Sequence, residues 1–255
     1  MSEEHPRSGT GGFAEVQAVI EPVEGWLTAA QARRLWEAAR GLAPGAQVVE
    51  IGSFHGRSTI VLAHGAPLPR PVVAIDPHLG SDRGPQEIGA AAHLGVLDSQ
   101  AFDANLRRAG MTNRVRHLRR RSQEALGDID GTIDLLFIDG AHRYGPARSD
   151  LEHWGARVAP GASMFVHDAF SSIGVTLALL RSVIGRPEWV YRGRTGSLAE
   201  YHRQPSPIRP RLGSTARQLG ELPYFLRNVA VKALLLMRLR PVARLLGFRD
   251  GPWPY

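Results

Sequence analysis

Two short runs of the chain end apolar stretches on groups that can move protons or hold cations. In FIDGAHRY, residues 137–144, Asp139 and His142 follow Ile133–Phe137, in which only Asp134 is polar. In ASMFVHD, residues 162–168, His167 and Asp168 close the next such run. Apolar runs of this length between helical segments read as strands of a parallel sheet covered on both faces. Such sheets bind ligands in the crevice outside the carboxyl ends of their strands. Two carboxylates and two imidazoles at neighbouring ends could bind one divalent cation with an adjacent base. Taken singly, an Asp-Gly is an ordinary turn and a His an ordinary surface residue; four together argue for a site.

A second constellation lies earlier. In VEIGSFHGRST, residues 49–59, Gly52 and Gly56 permit a tight turn with close backbone approach, and Ser58 can cap the next helix. The spacing is neither GxGxxG nor GxxxxGK[ST], which argues against a dinucleotide or P-loop site. Asp76 ends the following apolar run about 20 residues beyond the glycines, where a carboxylate can accept from both ribose hydroxyls. Plain turn geometry accounts for either feature alone. Together they describe a site for an adenosine-containing ligand.

The elements that must position these groups alternate regularly. Apolar runs recur at 47–53, 71–77, 114–118, 132–140 and 162–168. Between them, STIVLAHG, DSQAFDANLRRAG, SQEALG, ARSDLEHWGARV and GVTLALLRSVIG have helical period. Thr28 is a suitable N-cap for AAQARRLWEAAR, which Gly41 and Pro44 close. EWVYRGRTGSLAEYHR contains two β-like runs around a glycine turn, hence an antiparallel hairpin. The expected fold is α/β, a Rossmann-like, doubly wound, mostly parallel seven-stranded sheet with an antiparallel C-terminal hairpin.

Composition narrows the chemistry. The absence of Cys removes disulfides, thiolate nucleophiles and Cys-ligated zinc, so any metal must use oxygen or imidazole ligands. The net charge of +7 is concentrated: residues 203–255 carry ten basic residues against Glu221 and Asp250, leaving 1–202 nearly neutral. Lys232 is the only lysine. The first residues lack the basic-then-apolar layout of a signal peptide and read as a disordered tail of a cytoplasmic protein.

From about Gly25 to His202 the chain resembles the class I S-adenosylmethionine-dependent methyltransferases, in particular the family-24-like branch with macrocin-type and cephalosporin-type O-methyltransferases. The resemblance rests on GWLTAAQARRLWEAAR, VVEIGSFHGRST, VVAIDPH, FDANLRRAGMTNRVRHLRRRSQEAL and LLFIDGAHRYGPARSDLEHWGARVAPGASMFVHD. It implies that Glu50, Gly52, Ser53 and Gly56 cradle the methionine part of S-adenosylmethionine. Asp76 would hold its ribose and Ser122 would sit by the adenine, with Asp139 also among the cofactor-contacting residues. Asp139 and Asp168 resemble metal-binding carboxylates, with His167 completing a set for Mg²⁺ or Mn²⁺, and His142 occupies the place of the general base. His167 stands where some relatives carry a carboxylate, which makes the site less anionic and better suited to a transition metal. Tyr144 either covers the substrate or starts the next helix, and His55 faces either the cofactor or solvent.

The resemblance thus implies an enzyme that methylates a hydroxyl of a small molecule, sugar or glycolipid; a homo-oligomer is compatible with the sequence, which leaves the oligomeric state open. Its acceptor would be met chiefly by His78–Leu97 and the tail. The expected organisation is a flexible tail over 1–24, the methyltransferase domain over 25–202, and a Pro-containing linker with a basic helical tail over 203–255. Phe225–Leu239 is apolar yet interrupted by Arg227, Lys232 and Arg238. It is too short and charged for a membrane span but fits an interfacial helix on anionic lipid over 222–249, peripheral at the inner face of a membrane. A helix packed on its own domain or on a second copy is the alternative. Nucleic acid is a poorer fit, because the charge stands without any recognition motif. A non-catalytic cofactor-binding or scaffold protein that works through this tail is the competing function.

Overall fold

The computed structural model of the protein describes residues 12–80, 91–204 and 207–248. The chain divides into two units, one from residues up to 80 and 90–135, the other chiefly from 136 onward.

In the first unit, α1 (Phe13–Ile20) and α2 (Ala29–Arg40) precede β1 (Val48–Ile51), α3 (Arg57–Gly65), β2 (Val72–Ile75), α4 (Ala92–Arg108) and β3 (Val115–Leu118). Every residue of β1 and β2 is buried, Glu50 included, as strands covered on both faces require. The two strands pair in parallel with Val49 opposite Val73, and β2 pairs with β3 with Val72 opposite Val115. Thr28 caps α2 in a reciprocal capping box: its hydroxyl accepts from the Gln31 N–H while the Gln31 side chain accepts from the Thr28 N–H.

The second unit takes up the chain within β4 (Ile133–Ile138) and continues through α5 (Tyr144–His153), β5 (Val158–Val166), α6 (Ile173–Ser182), β6 (Trp189–Thr195) and β7 (Leu198–Arg203). It ends in α7 (Ile208–Leu219), α8 (Leu222–Leu236) and α9 (Arg240–Leu245). The seven strands are ordered β3-β2-β1-β4-β5-β7-β6, with β7 antiparallel to β5 and β6. This is the mostly parallel sheet with a closing hairpin that the sequence implies.

Several local expectations are corrected. Residues 13–20 of the expected flexible tail are helix α1, because Phe13, Val16 and Ile20 share one face and are buried. SQEALG forms only a 3-10 segment at Glu124–Asp128, being too short to nucleate an α-helix. Much of the expected linker is α7: Pro207 is its N-cap and Pro210 lies in the first turn, where a missing N–H costs nothing. Buried Ser214 of α7 accepts from the Tyr191 N–H at 2.9 Å, tying this helix to β6. Residues 1–11, 81–90 of the expected acceptor segment His78–Leu97, and 249–255 of the basic tail lie outside the described residues. Among the described residues no helix is long and apolar enough to cross a membrane.

Candidate functional site

The ends of β4 and β5 bring together the four groups on which the sequence reading rests. His142 Nε2 lies 3.0 Å from Asp168 Oδ2 and 3.9 Å from Asp139 Oδ1. His167 Nδ1 lies 3.2 Å from Asp139 Oδ1 and 3.5 Å from Asp168 Oδ2. The His142 and Asp139 side chains are 20% and 26% exposed, whereas His167 and Asp168 are at 3% and 2%. The first pair can therefore meet a ligand and the second forms the floor.

Charge in this cluster is set by mutual contact. Burial works against the charge on His142, but Asp139 and Asp168 outweigh it and raise its pKa from 6.5 to about 10. Burial opposes His167 in the same way, and the same carboxylates carry it well above its ordinary value. Burial would raise both carboxylates, yet the imidazoles hold Asp168 and Asp139 below the usual range. Two imidazolium and two carboxylate charges thus balance one another.

A divalent cation fits the donor set. Ligand atoms of Asp139, His142 and Asp168 all lie within 4.8 Å of one another, a span that metal–ligand bonds of about 2.0–2.4 Å can bridge. Asp168 Oδ1 and His167 Nε2 are buried without a hydrogen-bond partner among the described residues. The compact three-donor group contains His142 in place of the expected His167.

Neighbouring elements fix the cluster. Asp168 and Phe170 adopt left-handed backbone with φ of 54° and 57°, and α6 follows at once. Gly174 of α6 presses on the loop bearing His142: a Cβ there would stand 2.1 Å from the His142 carbonyl oxygen. The Ser172 hydroxyl donates to that same oxygen at 3.3 Å. From α8, buried Asn228 donates to the Phe170 carbonyl at 3.2 Å and Lys232 to the Ser171 carbonyl at 3.0 Å. None of Gly174, Asn228 and Lys232 carries a sequence signal of this role, because each acts through tertiary contact. Tyr144 is the first residue of α5 and is exposed.

The glycine loop belongs to the first unit. Gly52 and Gly56 have φ of 83° and 85°, Phe54 between them 43°, and Gly56 caps α3. Asp76 Oδ2 accepts from the Ser53 and Phe54 N–H groups, both at 2.9 Å, while Oδ1 accepts from His78 N–H at 2.8 Å. Of its roughly four lone-pair sites, three serve the backbone. Glu50 is fully buried and accepts from the Ser58 and Thr59 hydroxyls, so it anchors the first turn of α3. Ser122 lies in the turn before the 3-10 segment, its carbonyl accepting from Ala125 N–H. His55 is bonded to Asp98 at 2.9 Å and lies 3.5 Å from Glu24.

Beside Asp76 the structure adds residues the sequence reading passed over. The His78, Phe102 and His117 rings pack together, with centroids 4.4–5.5 Å apart. Ser53 Oγ, His78 Nδ1 and His117 Nε2 are buried with no hydrogen-bond partner among the described residues. Burial, then His78, pushes His117 below 6.5, so its ring is neutral. Such orphaned atoms around one carboxylate suit a polar, uncharged ligand such as a nucleoside. A pyrophosphate fits this part of the loop poorly, because the Ser53 and Phe54 amides are taken by Asp76, whose carboxylate would repel it.

Residues 49–169 match a family model described as a methyltransferase domain. A stretch of 54 residues, 21% of the chain, is 41% identical to the uncharacterized protein y4gI of Sinorhizobium fredii and spans 6% of that relative's length. The O-methyltransferase TomG of Streptomyces achromogenes, involved in tomaymycin synthesis and solved with SAM, superposes with a TM-score of 0.51 at 18% identity. That match covers 75% of this chain and 87% of TomG. An O-methyltransferase of Bacillus cereus in complex with SAH gives 0.50 at 17%, over 74% and 87% of the two chains. At these identities the likeness is one of fold.

Proposed function

Because residues 49–169 match a methyltransferase-domain family model, we propose that this protein is a class I S-adenosylmethionine-dependent methyltransferase that methylates a hydroxyl oxygen of a small molecule, sugar or glycolipid. The observation that carries the reading is the cluster of Asp139, His142, His167 and Asp168, which joins a base to two carboxylates. S-adenosylmethionine supplies the methyl on a sulfonium. Ser53 and the orphaned His78 and His117 nitrogens, with the remaining acceptor site of Asp76, meet its polar edges.

The transfer is an in-line displacement, so most of the barrier reduction comes from positioning. The hydroxyl oxygen forms the new C–O bond, the C–S bond breaks to leave S-adenosylhomocysteine, and the hydroxyl proton passes to His142. His142 takes a proton only when neutral, which requires the charge of Asp139 and Asp168 to be engaged by another cation. A divalent cation such as Mg²⁺ or Mn²⁺, held by Asp139 and Asp168, would supply that charge and the Lewis acidity that makes a hydroxyl easier to deprotonate. His167, buried against both carboxylates, orients them.

Calorimetric titration with S-adenosylhomocysteine, repeated after chelation and with Mn²⁺, tests the reading. Micromolar binding supports the cofactor, and a separate Mn²⁺ heat that Asp168→Asn abolishes supports the cation. No binding by folded protein rejects the methyltransferase reading in favour of a scaffold.

A further inference from the structure

In α8 the ordinary arrangement of a surface helix is inverted. Its inward residues include Asn228 and Lys232, bonded to Phe170 and Ser171, beside buried Val231. Its outward positions are apolar: Leu226 is 63% exposed, Leu236 78% and Met237 59%. The chain then turns at Arg238, in left-handed conformation with φ of 60°, and Leu239 N–H bonds back to the Leu234 carbonyl at 2.8 Å. Beyond the turn α9 exposes Val242 and Leu245, the latter at 86%, and Leu246 follows. Arg227 Nε donates to the Leu246 carbonyl at 2.6 Å, which closes α8 and α9 into a helical hairpin.

Exposed Arg238, Arg240 and Arg244 stand among these apolar residues. Residues 207–248 hold eight basic residues and one acid, Glu221, which is bonded to Tyr191 and Arg194. So many exposed large apolar side chains on one helical hairpin mark an interaction site. The arginines select an anionic partner, and the mixture of exposed leucine and arginine suits a lipid headgroup region. At 15 residues α8 is too short to span a bilayer, so it lies on the surface.

We propose that the α8–α9 hairpin is a membrane-docking element, inserting Leu236, Met237 and Leu245 into the interface of an anionic phospholipid bilayer while Arg238, Arg240 and Arg244 meet the headgroups. The same helix holds the Phe170–Ser171 carbonyls beside Asp168, so docking brings the acidic-imidazole cluster to the membrane surface. This inference stands whether or not the domain transfers methyl groups.

The test is flotation of the full chain with vesicles of phosphatidylcholine alone or mixed with phosphatidylglycerol. Binding is expected only with phosphatidylglycerol, declining with salt, and about tenfold weaker in each of L236E/M237E and R238E/R240E. These positions are exposed, so an unchanged thermal melt certifies the fold of each variant. Absent or charge-independent binding, or binding that both variants retain, overturns the proposal. So does a dimer that L236E/M237E dissociates, which would assign the face to a second copy of the chain.

Discussion

The ε-ammonium of Lys232 on α8 donates to the carbonyl oxygen of Ser171 at 3.0 Å, three residues beyond Asp168. Burial lowers the pKa of this sole lysine, and the nearby Asp168 charge works the other way. Lys232→Met keeps the volume and removes the donor, which should cost about 1–3 kcal/mol. Turnover should decline with it, as the backbone carrying Asp168 loosens, while S-adenosylhomocysteine affinity is kept. Urea midpoints and kcat check this, and an unaltered kcat would show that α8 does not position the cluster.

Gly174 leaves no room for a side chain against the His142 carbonyl. Gly174→Ala favours the helix intrinsically, yet should destabilise the protein by roughly 1–3 kcal/mol through overpacking. Turnover should fall as well, because the base His142 moves. Comparing kcat of the variant and the parent protein decides the matter.

The pKa of His142 is raised from 6.5 to about 10 by Asp139 and Asp168 in the metal-free protein. Since the folded pKa exceeds the unfolded one, its contribution to stability is complete below pH 6.5 and is lost as pH rises through about 10. Chelated protein should therefore show urea midpoints that fall across this window. In His142→Asn that slope should flatten, and Mn²⁺ added near pH 8 should release protons, measurable with an indicator dye.

Asp76→Asn probes the other unit. A carboxylate takes the three N–H groups of Ser53, Phe54 and His78, whereas an amide turns its own N–H₂ toward some of them. S-adenosylhomocysteine affinity should drop about tenfold or more, equivalent to at least 1.4 kcal/mol. The melting temperature should fall as well. A variant that melts earlier but binds normally would confine Asp76 to a structural role.

Much of the architecture is legible from pattern. Nearly apolar runs at β1, β2 and β4, broken only by Glu50 and Asp134, announce a sheet buried on both faces, and Thr28 with Gln31 announces the start of α2. Asp139, His142, His167 and Asp168 are legible as a group because consecutive strands deliver them to one end of the sheet. The partners of these residues are not. Gly174 and Lys232 reach the cluster across 32 and 61 residues of sequence, and nothing local distinguishes them from any helical glycine or lysine. Glu50 reads as a ligand-facing acid, yet the two hydroxyls one turn into α3 claim it. Pro207 and Pro210 read as a linker because prolines are as common in extended connections as at helix starts, and only the packing of Ser214 on β6 decides for the helix.

The closure of the Ser53 and Phe54 amides onto Asp76 has a kinetic consequence. The loop's conformation owes nothing to atoms brought by a ligand, so docking on it carries little ordering entropy. Exchange of the proposed cofactor should then run as simple dissociation and rebinding, the binding rate rising linearly with concentration from a constant dissociation rate and showing no slow conformational phase.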